Sequence, residues 1–208
     1  MQRQERGRTR LDPEVRRKQI VEAAVRVLSH SDPVEVTFEE IAEAAGVSRA
    51  LVYNYFGDRG GLLAAVYLYT FGQLNRELRQ TIDPTAMPAD RVRALIHGYL
   101  QFAVEHASTW HLLQLTSSVN HPAVQAARQQ YMERVANAWG GEGPEGRTLA
   151  YGVLGLLESA TFDWLRDQNM DLEDLTDLIF DLLWTGLSSL ERHGTVIPRF
   201  FGRESVPT

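Results

Sequence analysis

Residues 37–63 read TFEEIAEAAGVSRALVYNYFGDRGGLL, and this stretch sets the fold. Thr37 followed three places later by Glu40 is a capping box, in which hydroxyl and carboxylate satisfy each other's free backbone amides and start a helix. That helix runs through Ala45, and Gly46 supplies the positive φ needed to leave it. Ser48 caps a second short helix from Arg49 to about Tyr55. Two short helices joined by a tight glycine turn form the outline of a helix-turn-helix. Ile41, Val47, Leu51, Val52 and Phe56 recur at spacings that pack both helices on neighbours. That leaves Arg49, Ala50, Tyr53, Asn54 and Tyr55 facing outward.

Upstream, Asp12-Pro13 opens a helix that runs to about His30, with Asp accepting from free amides and Pro at the first helical position. Ile20, Ala24, Val27 and Leu28 form its apolar stripe, and Ser31-Asp32-Pro33 ends it. Downstream, a fourth helix runs from near Asp58 to about Gln80. Its early Gly60-Gly61 is poor helix material, suited to a soft joint that would show as fast hydrogen exchange at 60–64. Asp83-Pro84, with Pro88 beyond, breaks the chain. Amphipathic helices follow over 89–106, 108–118, 122–139, 146–168 and 172–193, with Gly140 to Gly146 a loop. Only Asn169-Met170-Asp171 separates the last two, which predicts an antiparallel hairpin. No stretch alternates with period two long enough to be a strand, so the chain is all-α.

Composition narrows the chemistry. The 208 residues contain no cysteine, which excludes disulfides and thiolate chemistry, and of 21 basic residues only Lys18 is lysine. The net charge of -6 is unevenly spread: residues 1–26 carry eight basic and four acidic groups. A basic arm on an acidic body draws a polyanion to one end, although a solvated tail has the same composition. With no apolar run long enough for a bilayer and a charged N-terminus, the expectation is a cytoplasmic protein with no membrane partner. Gly141-Glu142-Gly143-Pro144-Glu145-Gly146 formally matches G-x-G-x-x-G, but it follows a helix and its carboxylates would repel a pyrophosphate. The histidines lack metal-ligand spacing and no nucleophile motif is present, so no metal, no cofactor and no catalysis are expected.

Thr37, Ile41, Ala42, Ala45-Gly46-Val47-Ser48-Arg49, Tyr53, Tyr55-Phe56, Arg59 and Leu62-Leu63 resemble the DNA-binding domain of the TetR family of repressors. The resemblance extends to Gly155-Leu-Leu-Glu158, Trp164-Leu165 and Leu183-Trp-Thr-Gly186-Leu187. Departures are Ala50-Leu51 where Gly-Thr is common, Asn54 where His is common, and Gly60-Gly61 where Glu-Glu is common. They bear on the particular operator. The resemblance implies an N-terminal three-helix DNA-binding domain with a helix-turn-helix and a C-terminal helical ligand-binding and dimerisation domain. The expected division is 1–58 and 59–208, with helix 59–80 connecting the two.

The expected activity is that of a sequence-specific transcriptional regulator, a repressor released from a palindromic operator by a small, largely apolar effector. Arg49 can bond guanine O6 and N7, Asn54 can pair with adenine, and Ala50 can approach a thymine methyl. The Tyr53 and Tyr55 hydroxyls suit phosphates. Thr37 and Ser48 sit at helix starts, which favour anions but also simply need caps. The resemblance places Thr37, Tyr55 and Arg59 on the DNA backbone. The arginine-rich arm reaches a minor groove in some relatives only.

For the effector, Tyr99, Phe102, Trp110, His111, Tyr131, Glu158, Thr161 and Phe162 are the candidates, as aromatic walls with a few polar groups. Glu158, on an apolar helix, would receive a cationic group or, protonated, a hydroxyl; a structural hydrogen bond explains it as well. Leu175, Leu178, Ile179, Leu182 and Leu187 are candidates for a homodimer interface built as a four-helix bundle, although one chain burying that stripe internally reads equally well. An activator, a helical enzyme or carrier for an apolar ligand, and a sequence-independent DNA binder are the alternative functions.

Overall fold

The computed structural model describes residues 12–31, 36–117, 119–138 and 143–192, except the side chains at 135, 137, 138, 143, 145 and 187–192. Among them are nine helices: α1 (Pro13–Leu28), α2 (Phe38–Ala45), α3 (Arg49–Phe56), α4 (Arg59–Thr81), α5 (Pro88–Glu105), α6 (Ala107–Ser117), α7 (Pro122–Ala138), α8 (Gly143–Asp167) and α9 (Leu172–Arg192). The Arg-rich residues up to 11 and the tail after 192 lie outside the described residues.

Local chemistry sets the N-terminal boundaries. Asp12 Oδ1 accepts from the Glu14 amide at 2.8 Å, with Pro13 at the first position of α1. At α2 both halves of the capping box form: the Thr37 amide donates to Glu40 Oε2 at 2.7 Å, and the Glu40 amide to Thr37 Oγ1 at 3.3 Å. Gly46, at φ 65°, is followed by bonds from the Gly46 amide to the Glu43 carbonyl and from the Val47 amide to the Ala42 carbonyl, a Schellman turn. Ser48 caps α3 through the Leu51 amide, and Asp58 caps α4 through the Gly61 amide.

The second of the long connections differs from the sequence expectation. Residues 140–142 lie outside the described residues, and residues 143–146, expected as part of a loop over 140–146, belong to α8, which begins at Gly143. Pro144 occupies its first turn, where a missing amide hydrogen costs no helical bond.

Helix α4 is the spine. It packs against α1 and α3 on one side and against α5, α6 and α7 on the other. Tyr67, Leu62, Val66, Thr70 and Leu74 on it are almost wholly buried, together with Ile96, Leu100, Leu112, Leu113 and Val124. The predicted α8–α9 hairpin needs qualification. The Trp164 indole N–H donates to the Met170 carbonyl at 2.8 Å and closes the short connection. Beyond it the two helices pack less on each other than on their neighbours, α9 chiefly on α5, and α8 on α7 and also α5.

Candidate nucleic-acid interface and effector-binding layer

On α3, Val52 and Phe56 turn inward while Ser48, Arg49, Ala50, Tyr53 and Asn54 are exposed and Tyr55 is half-buried. The Tyr53 ring leans on Phe38 of α2 with centroids 4.5 Å apart, which fixes one helix on the other. Arg49 folds back: its guanidinium lies 5.5 Å from the Tyr53 ring centroid, 3.4 Å from the Tyr53 hydroxyl and 3.9 Å from Glu39. The hydrogen bond and electrostatic attraction of the Tyr53 hydroxyl, then Glu39, hold its pKa above the ordinary arginine value. These contacts lie in water and are weak, so Arg49 is parked and can swing outward. Asn54 and Ala50 have no hydrogen-bond or ion-pair partner to leave among the described residues.

Arg59 and Thr37 are brought together by the fold. Arg59 Nη1 donates to the Val36 carbonyl at 2.9 Å, tying the start of α4 to the start of α2. Its remaining N–H groups point no such bond elsewhere among the described residues and are available to a phosphate. Thr37 is more committed than its sequence suggests, because its amide and its hydroxyl both donate to the Glu40 carboxylate. That pairing holds the Glu40 pKa below the usual carboxylate range. The Thr37 hydroxyl is thus spent inside the capping box, and Arg59 stands beside the start of α2.

The effector candidates divide into two sets. Tyr99, Phe102, Trp110, Tyr131 and Thr161 are buried. The Trp110 indole N–H donates to the Tyr99 hydroxyl at 3.2 Å, and the Tyr131 hydroxyl donates to Asn75 Oδ1 at 3.1 Å. Burial pushes the Tyr131 phenol up to about 12 against the opposing Asn75 bond, and burial raises Tyr99 further. Glu158 is largely buried beside these phenols. Its carboxylate stands 3.8 Å from Arg128 of α7, and burial raises its pKa although Arg128 opposes the shift. One turn on, the fully buried Thr161 hydroxyl has no hydrogen-bond partner among the described residues. His111 and Phe162 stand apart, both exposed, although Phe162 tilts toward Trp110 with centroids 6.4 Å apart. They belong to the rim and the outside of this layer.

Sequence reading missed the contribution of α4. Tyr67 and Phe71 pack edge to face, Phe71 stacks on Tyr131 with centroids 3.9 Å apart, and Asn75 receives the Tyr131 hydroxyl. The signal was present as 67, 71 and 75, one face at helical spacing. Also missed was Gln114 on α6, whose buried amide nitrogen lacks a partner among the described residues.

The interface candidates divide in the same way. Leu175 and Ile179 are 6% and 3% exposed and belong to the chain's own core, on the side that meets α5. Leu178 and Leu182 are 58% and 60% exposed. The side chain of Leu187 lies outside the described residues. With Leu178 and Leu182 go two further exposed aromatics on α8, Tyr151 and Phe162. No helix among the described residues is long and apolar enough to cross a membrane.

Comparison with known proteins agrees with this geometry. The family described as bacterial regulatory proteins, tetR family, matches residues 20–66. The HTH-type transcriptional regulator BetI of Rhizobium meliloti (strain 1021) is 40% identical over 99 residues, covering 46% of this chain and 49% of that protein. The chain thus spans about half the length of the curated relatives it matches. Among solved structures, a TetR-like transcriptional regulator from Rhodococcus sp. RHA1 shares 26% identity with a TM-score of 0.56, over 86% of this chain and 99% of its own. A tetR-family regulator from Streptomyces coelicolor shares 23% identity and the fold, with a TM-score of 0.65 over 88% and 85%. The relatives are named as regulators, not as enzymes. With its helix-turn-helix in α2 and α3, the chain carries over residues 20–66 a DNA-binding domain of the tetR family of bacterial regulatory proteins, and its helical C-terminal part shares the fold of TetR-like regulators.

Proposed function

We propose that this chain is a homodimeric transcriptional repressor that holds a palindromic operator through α3 and leaves it when a small, largely apolar effector enters the layer around Glu158. The observation that carries the reading is the outward face of α3. Arg49, Ala50, Tyr53 and Asn54 stand exposed on a helix whose inner face, Val52 and Phe56, is anchored in the core. That is the arrangement a recognition helix needs to reach base edges. The working division is 1–58 for DNA and 59–208 for ligand and partner, with α4 shared.

Two features support the remaining parts. The Thr161 hydroxyl, unpartnered among the described residues, lies one turn from the half-buried Glu158, which stands near Tyr99 and Tyr131, so an apolar molecule with one polar group fits the chemistry there. For the dimer, Tyr151, Phe162, Leu178 and Leu182 form an exposed apolar set on α8 and α9, and a second copy packed on it makes a four-helix bundle. Two recognition helices then meet half-sites spaced by about a turn of DNA or a multiple of it.

The test is selection of bound fragments from random and genomic DNA, with footprints at two salt concentrations. A palindromic site that survives the higher salt is the expected result. Asymmetric binding that vanishes with salt would leave only the electrostatic attraction to phosphates and end the operator reading.

A further inference from the structure

His121 connects two helices that belong to different parts of the molecule. It precedes α7, and its Nδ1 accepts from the Ala123 amide at 3.2 Å, capping that helix. With Nδ1 accepting, the ring proton is assigned to Nε2, which faces Asp58 Oδ2 at 3.7 Å. The other Asp58 oxygen accepts from the Gly61 amide at 2.8 Å and caps α4. The imidazole itself lies over Gly60: a Cβ at that position would overlap Cγ, Nδ1 and Cε1 of the ring. Gly60 is buried and helical, with no positive φ to require glycine. Its lack of a side chain is explained by the ring that occupies the space, so the glycine here marks a packed contact rather than a soft joint.

We propose that His121 is a positioning residue for operator binding, a strut seated in the notch at Gly60 that fixes the tilt of α1–α3 on the C-terminal helices. The proposal rests on the regulator reading above and gives it a route. Helix α7 carries Arg128 and Tyr131 beside Glu158, so a ligand that displaces α7 also moves its capping histidine. At the other end, Asp58 and Gly60 adjoin Arg59, which holds the Val36 carbonyl at the start of α2. A shift of the ring is therefore felt at the helix-turn-helix through bonded and packed neighbours.

The absence of cysteine permits a direct test by distance. Nitroxides placed through Glu43→Cys and Gln101→Cys, both exposed positions, report the setting of α2 against α5 when labelled chains are diluted into unlabelled ones. His121→Asn keeps a good helix cap and removes the ring; Gly60→Ala keeps the ring and fills its notch. Each single variant is expected to broaden or shift the distance distribution and to weaken binding to the selected operator at least about fivefold, with random-DNA binding unchanged. The double variant should lose no more than either single one, because both remove the same contact. A distribution unchanged in His121→Asn, or losses that multiply in the double variant, overturns the strut. If the parent protein prefers no fragment at all, the regulator reading fails, while the distance distributions still decide the strut.

Discussion

At the scale of single residues, the candidate side chains Arg49 and Glu158 are held by weak or opposed contacts, and each has a measurable signature. Arg49 rests against Tyr53 and Glu39 in water, so little is lost when it turns to a base. Arg49→Ala is expected to weaken operator binding by about 1–3 kcal/mol, roughly 5- to 150-fold, and random-DNA binding much less. Equal losses on both DNAs would reduce Arg49 to a phosphate contact. Glu158 offers a second test. Its raised pKa means that the folded chain holds the proton more tightly than the unfolded one, with burial the larger cause and Arg128 opposing. The resulting stabilisation is present below the ordinary carboxylate range and is lost as pH rises through the raised value. Glu158→Gln should therefore melt higher than the parent at pH 7, with the difference closing toward pH 4. A lower melting temperature at pH 7 would mean that the Arg128 pairing outweighs the burial.

At the scale of elements, most of the boundaries were legible because their causes are local. Asp12, Thr37, Ser48 and Asp58 each cap the helix that follows, and Gly46 leaves α2 as a left-handed glycine must. What sequence could not show depends on distant partners: that Gly60 accommodates His121, that Gly61 accommodates a carbonyl, or which of two leucine stripes on α9 faces inward. The glycines of α4 separate these causes. Gly72 is exposed with open space where a Cβ would stand, and Gly72→Ala should stabilise by about 0.5–1 kcal/mol, the ordinary helix preference. A Cβ on Gly61 would collide with the Phe56 carbonyl in the turn from α3 to α4. Gly61→Ala should accordingly destabilise, by about 1–3 kcal/mol as backbone displacements in packed regions do, despite the better helix former. Denaturant midpoints at unchanged m-value would measure both, and a stabilised Gly61→Ala would show that the turn relaxes freely.

At the scale of the whole molecule, α4 joins the helix-turn-helix part to the rest, and in the proposed dimer a second copy covers the exposed apolar side chains of α8 and α9. The apolar residues of α9 test this division because the chain buries Leu175 and Ile179 but leaves Leu178 and Leu182 to water. Ile179 is buried on the side of α5 and Leu182, three residues on, is exposed. Ile179→Ala is expected to cost about 2–5 kcal/mol of stability, as a core truncation. Leu182→Glu should leave the single chain's fold intact, since the side chain already faces water, yet place like charges across a two-fold interface where the residue meets or nears its own copy. Sedimentation at micromolar concentration should then show a dimer for the parent and a monomer for Leu182→Glu. Operator affinity should fall with it, because one recognition helix keeps only half of the contacts. A Leu182→Glu protein that remains dimeric would move the interface away from this face and, with it, the spacing between recognition helices that the operator must match.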